Sequence, residues 1–497
     1  MAEAILIYPE VFKRGSVDFK SMNFTVPMGI LSIASYVNKK GLTIALIDCR
    51  CEDDFFSKLD KTINKNTQLI GLSVMTVQIK PALEISRYIK KKYKNIKIVW
   101  GGAHPTFFPE QTIKNDLVDY VIVGEGEKTF LKLIKYLKGE IKTLKSIEGL
   151  AYKEKGKAIQ NRTREPIDMN KLPYMDYSLV DAEKYINKTI HDKKKRVLEL
   201  NTSRGCPHRC TYCINTSIHK RKWRSKDAES LLDEIEFLIK KYNVNHIHFL
   251  DENFFVNKKR IEDFCKGVKK RKIKISWQTN VRVDYFKDSY LAGPIIKKIQ
   301  KSGCIQLNFG AESGSDRILK FIKKDATVKQ LLIAIKTCED NNIIPNCSFM
   351  VGLPTETKKD ILKTVNVIKK IKEISSKAMI IGPQIFRPYP GCELFDYVSE
   401  RGFTVPESLE AWVELDPLLN TGYVSLDDLF WIKDKEFVEA VSLYTPFATQ
   451  DINKNNSAQA NVMIAISKIR WKTDFWKYPY EYRIFSSLKN KILSLKK

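Results

Sequence analysis

Residues 201–217 read NTSRGCPHRCTYCINTS and place Cys206, Cys210 and Cys213 within eight positions. A disulfide takes cysteines in pairs, and a closed tetrahedral metal site takes four ligands. His208 or His219 could supply a fourth, but no second cysteine or histidine pair stands at the usual zinc spacing. Iron–sulfur clusters are held by thiolates, and three of them on a four-iron cubane leave one iron free to bind something else. The trio therefore reads as a 4Fe-4S ligand set with an open position. Ten cysteines in 497 residues are too sparse for a disulfide scaffold. Cys265, Cys304, Cys338 and Cys347 lie inside apolar patterns and read as small buried residues. Cys392, in RPYPGCELF, stands near a strand end, where Arg387 and Tyr389 are the better candidates for substrate contact.

Such a loop must be carried by a frame, and the chain alternates strand and helix patterns throughout. Short apolar runs at 4–8, 43–49, 69–75, 96–102 and 118–127 are separated by helical stretches such as GILSIASYVNKKG. That pattern implies a doubly wound parallel sheet with its ligand crevice beyond the strand carboxyl ends. The end of GLSVMT, then WGGAHPT and VGEGE, would stand at that crevice. Residues 141–190 read as a connector. Six further strand patterns follow, at 196–205, 246–254, 275–283, 305–313, 345–354 and 378–391, each with a helical segment after it, as in a partial (β/α)6 barrel. The fold class expected is α/β, with a Rossmann-like domain over 1–140, the barrel over 191–400 and a helical capping region over 401–497.

A Cys-x3-Cys-x2-Cys motif with Tyr212 before its last cysteine, opening a partial barrel, resembles the radical S-adenosylmethionine superfamily. The resemblance implies a cluster whose open iron chelates S-adenosylmethionine and whose reduction yields a 5′-deoxyadenosyl radical. It implies S-adenosylmethionine contacts from Asp251, Glu252 and Asn253 (FLDENF), Asn280 and Arg282 (QTNVRV), Glu312 and Ser313 (FGAESGS), and Gly352 (FMVGLPTET). The segments VPMGILSIASYVNKKG, GLSVMT, WGGAHPTFFPE and DYVIVGEGE resemble the cobalamin-binding domain fused ahead of such barrels. That likeness implies a cobalamin pocket formed by Ser73, Val74, Met75 and Thr76, Gly101, Gly102 and His104, and Gly124, Glu125 and Gly126. The Asp-x-His-x-x-Gly motif that supplies a lower cobalt ligand is absent, so His104 need not bind cobalt.

The resembling enzymes are methyltransferases that draw on methylcobalamin, and the expectation is C-methylation, less readily P-methylation, of an unactivated centre in a small-molecule or lipid-like substrate. The anaerobic magnesium-protoporphyrin monomethyl ester cyclase shares the domain order and is the alternative. A tRNA methylthiotransferase would want three further N-terminal cysteines, where this chain has only Cys49 and Cys51. The net charge of +27 is spread along the chain, which suits solvated helix faces better than a nucleic-acid footprint. No leader and no membrane-length apolar run is read, so a cytoplasmic location is expected, with a flavodoxin- or ferredoxin-type electron donor. The tail SKIRWKTDFWKYPYEYRIFSSLKNKILSLKK mixes basic and aromatic residues; it could cap the barrel or touch a membrane surface.

Overall fold

The computed structural model describes residues 2–10, 25–187, 194–415, 426–452 and 457–481. They form two compact units, one of residues 1–206, 217–250 and 389–425, the other of 207–216, 251–388 and 426–497.

The first unit is built on a seven-stranded sheet. Its strands are β1 (Ala4–Tyr8), β2 (Ile44–Asp48), β3 (Leu69–Ser73), β4 (Lys97–Gly101), β5 (Tyr120–Ile122), β6 (Leu150–Glu154) and β7 (Lys157–Gln160), in the order β2-β1-β3-β4-β5-β6-β7. The first five are parallel and buried along most of their length, as the near-continuous apolar runs require. The helix Met28–Lys39 buries Ile30, Leu31, Ala34 and Val37 on one face, each large side chain contributing about 1.5–3 kcal/mol. Within the stretch read as a connector, β6 and β7 form an antiparallel hairpin that extends the sheet. Its turn is Lys155–Gly156, both at positive φ, between two stretches of strand alternation. The unit also holds the parallel pair β8 (Val197–Leu200) and, later in the chain, His246–Phe249, and a two-residue antiparallel ladder of β9 (Ser203–Arg204) with β10 (Arg224–Ser225). His246–Phe249 is β11.

The second unit carries β12 (Ser276–Val281), β13 (Cys304–Glu312), β14 (Ile344–Val351) and β15 (Met379–Ile385), paired in parallel in chain order. With β8 and β11 these make the six strand–helix repeats read from the sequence. Their helices start where short polar side chains can cap them: Asp227, Asn257, Thr327 and Thr357 each accept a bond from the first turn. Thr327 with Gln330, and Thr357 with Asp360, complete capping boxes. Trp277 is fully buried among Phe254 and Phe264, which fixes the outer face of β12 against the helix Lys258–Lys270.

Beyond residue 400 the described chain is helical, as expected. Leu409–Leu415 belongs to the first unit, while Lys435–Ala448 packs on Ala458–Thr473 and on β15 in the second. Residues 482–497, part of the tail considered for membrane contact, lie outside the described residues. Among those described, no helix is long and apolar enough to cross a membrane.

Candidate active site

In the first unit the strand order reverses between β1 and β3, the point at which doubly wound sheets open a ligand crevice. Ser73 ends β3 there; Val74 is buried, and Met75 stands 38% exposed, a large apolar side chain at the mouth of the crevice. Gln78, which the sequence reading passed over, spans the reversal. Its amide nitrogen donates to the Pro9 carbonyl at 2.8 Å and its oxygen accepts from Met75 N at 2.9 Å. The glycines answer to the chain around them. A Cβ on Gly102, at φ +99°, would lie 2.8 Å from the Val74 backbone, so the β3 and β4 loops touch only because it is absent. A Cβ on Gly126 would meet Ile33, whereas one on Gly124 would point into open space. Gly101 ends β4 without such a conflict. His104 is fully buried, with Nδ1 3.2 Å from Thr76 Oγ1 and its ring against Phe108 and Trp412. Burial lowers its pKa to about 4, so the imidazole is neutral at pH 7.

Glu125 is held by charge. Its carboxylate accepts from Arg224 at 2.6 Å and from Ile167 N at 3.0 Å, with Arg204 at 3.3 Å and Arg164 at 3.6 Å. Burial would raise its pKa, but Arg224 and Arg204 override that and take it down to about 2. Glu127, fully buried, accepts from Arg204 and Ser32, each at 2.7 Å. VGEGE is thus bonded to the β9–β10 ladder, whose first strand runs directly into Gly205 and Cys206. Neither Arg204 nor Arg224 was singled out from the sequence, where they are two of 85 basic residues.

In the second unit, Cys210 and Cys213 are joined by a tight turn, Cys213 N donating to Cys210 O at 3.2 Å. Arg282 Nη1 lies 3.4 Å from the Cys210 sulfur, and Nε donates to Asp284 at 2.8 Å. Tyr212 OH donates to Glu312 Oε1 at 2.7 Å, and buried Lys324 reaches both, at 2.9 Å each. Glu312 sits at φ +65°, which turns the end of β13 toward this cluster. Lys324, in FIKKDAT, gave no sequence signal of its own. Asp251 and Asn253 are buried and Glu252 is half-buried. Asn253 donates to Tyr285 OH at 2.9 Å, His208 lies 3.1 Å from the same oxygen, and Asn280 donates to the Asp251 carbonyl at 3.0 Å. Asn280 is thus tied to Asp251, and Asn253 shares the Tyr285 hydroxyl with His208. Ser313 stands apart, its hydroxyl 3.3 Å from Thr364. Gly352 N donates to Glu356 at 2.6 Å, while Trp431 donates to the Gly352 carbonyl. Arg387, two residues past the end of β15, directs Nη1 at the carbonyls of Ile385 and Phe386, at 3.5 and 3.4 Å; Tyr389, in the first unit, is 56% exposed.

Two family models match this chain: the B12 binding domain over residues 18–134 and the radical SAM superfamily over 200–368. An uncharacterised methyltransferase of Pyrococcus horikoshii is 31% identical over 417 residues, 83% of this chain and 87% of that protein. The chain belongs to the cobalamin-binding radical S-adenosylmethionine family. The anaerobic magnesium-protoporphyrin IX monomethyl ester cyclase of Rubrivivax gelatinosus is 27% identical across 76% of this chain and 66% of its own length. The cobalamin-dependent S-adenosylmethionine radical enzyme OxsB, solved with aqua-cobalamin, shares the fold with a TM-score of 0.72 at 20% identity, over 95% of this chain and 72% of that one.

The cofactors of this family are a 4Fe-4S cluster, S-adenosylmethionine and cobalamin. The residues present fit them. Cys206, Cys210 and Cys213 are joined in no disulfide, and a guanidinium on the Cys210 sulfur suits a cluster ligand, because hydrogen bonds to sulfur tune such centres. Among the described residues no three His, Cys, Asp or Glu converge as on a single ion; a cubane asks for no such convergence, since each thiolate meets a different iron. The switch-point crevice with Met75 exposed suits a corrin face.

Proposed function

We propose that this protein is a cobalamin-dependent radical S-adenosylmethionine methyltransferase that methylates an unactivated carbon, or less readily phosphorus, of a small molecule. The observation that carries this reading is the fastening of the cysteine motif to the strand ends, Tyr212 to Glu312 and Lys324, Cys210 to Arg282. Positions so fixed supply orientation, which is the protein's share when cofactors supply the hard steps. Bound in the site, cluster and S-adenosylmethionine supply a radical that removes a hydrogen atom, and cobalamin supplies a methyl group.

The chain's own residues do the holding. Cys206, Cys210 and Cys213 bind the cluster, and Asp251, Glu252, Asn253, Asn280, Arg282, Glu312, Ser313 and Gly352 line the S-adenosylmethionine side. Ser73 to Thr76 face the corrin, with Gly101, Gly102, His104, Gly124, Glu125 and Gly126 shaping the loops behind them. Arg387 and Tyr389 meet substrate at the mouth. An electron donor of flavodoxin or ferredoxin type would supply the electrons a cluster held by these cysteines needs. The methyltransferase reading is supported by the Pyrococcus relative, which matches more of its own length than the cyclase does.

Anaerobic reconstitution tests it. One 4Fe-4S cluster is expected by iron and sulfide analysis, lost in Cys206→Ala, Cys210→Ala or Cys213→Ala; a cluster that survives any of the three intact sinks the assignment. A product heavier by one methylene supports methylation, and ring closure without added carbon supports the cyclase.

A further inference from the structure

Side chains alternate across a strand, and Trp277 faces the helix side of β12, so Gln278 and Asn280 face the other way. Asn280 is level with Asn308 on β13, and Asn308 with Asn346 on β14. One repeat lower, Gln278 is level with Gln306. The amides are wired together. Gln306 donates to Asn308 Oδ1 at 2.8 Å and Asn346 donates to the same oxygen at 3.2 Å. Asn308 donates to Asn280 Oδ1 at 3.3 Å. Barrel layers are ordinarily filled by branched apolar residues, and amides in their place cost stability unless each finds a partner. One does not: Asn346 is only 8% exposed, and its Oδ1 is buried with no partner among the described residues.

The row lies directly beneath the charged cluster. Gly310 follows Asn308 by two residues on the same face, about 7 Å along the strand. A Cβ there would lie 2.3 Å from Glu312 Oε1 and 2.9 Å from Lys324 Nζ, so both groups fold back over Gly310. Tyr212 of the cysteine motif bonds to both.

We propose that the inner face of β12–β14 recognises an uncharged, hydroxyl- or amide-bearing part of the substrate, with Asn346 Oδ1 accepting a hydrogen bond from it. The proposal rests on the reading that a small molecule reacts beside the cysteine loop. Hydrocarbon would leave the amides stranded. Within the row itself a charged group would find no counter-charge, since positions 278, 280, 306, 308, 344 and 346 carry none.

The test titrates the reconstituted full chain with uridine and N-acetylglucosamine, and with cyclohexane and toluene as apolar counterparts, by saturation-transfer NMR. The polar probes should saturate, and their apparent Kd should weaken at least fivefold in Asn346→Leu and Asn308→Leu. Asn346→Ser, which keeps a small polar group and removes the amide oxygen, decides the matter where a leucine variant misfolds. Polar probes that do not saturate, that bind unchanged in the variants, or that bind more weakly than the apolar pair overturn the proposal. Iron and cobalamin contents are measured on the same samples. Their absence from the wild type would overturn the functional reading, while the probe preference would still be read.

Discussion

Arg282 places a fixed positive charge 3.4 Å from the sulfur of Cys210, within a loop whose cysteines read as cluster ligands. Hydrogen bonds and charge near such sulfurs raise the potential. In Arg282→Leu the cluster should remain, with a midpoint more negative by on the order of tens of mV, read by EPR-monitored redox titration; an unchanged midpoint would separate Arg282 from the cluster. Glu356 makes a different prediction. Burial pushes its carboxyl up to about 8 against the N–H groups of Leu353 and Gly352. The folded value lies above the unfolded one, so this contribution to stability is complete below about pH 4.5 and is lost as pH rises through about 8. Glu356→Gln should flatten the fall in Tm across that window. Glu356 stands four residues after Gly352 in GLPTET, where the motif marks the turn and not the glutamate. What exposes the glutamate is its bond back to the turn, a contact no spacing displays.

At the scale of elements, the strands were legible because parallel strands buried on both faces read as unbroken apolar runs. The β6–β7 hairpin was not, because only a short alternating stretch around Lys155–Gly156 marks it. The cysteine motif stands out by its spacing after a strand, whereas FLDENF is picked out only by the family resemblance. Lys324, Tyr285 and the arginines around Glu125 were not legible, because a basic or aromatic residue in a lysine-rich chain declares nothing until a partner is brought beside it. The Glu125–Glu127 network is nonetheless what secures the β9–β10 ladder. Arg204→Leu leaves Glu127 buried without its counter-ion, which should cost about 3–5 kcal/mol, seen as a lower denaturation midpoint. Adding Glu127→Gln should recover part of that loss, and strictly additive effects would show the two not to be coupled.

At the scale of the whole molecule, the first unit presents a sheet with its crevice at the β1–β3 reversal, and a ligand that binds only the folded form must stabilise it. Hydroxocobalamin at a hundredfold excess over its Kd should add about 2.7 kcal/mol, measured as a rise in Tm with the cobalamin absorbance retained after gel filtration. No rise, with the protein folded, would demote the crevice to scaffold. The same unit has a consequence for how the chain is made. Glu125 and Glu127 leave the ribosome well before Arg204 and Arg224, and domains generally fold as they emerge, N-terminal part first. All seven strands of the sheet that carries the acidic receptor are therefore made before the basic ladder. A fragment begun at the connector would be born without that template, leaving Arg204 and Arg224 without the carboxylates that pair with them.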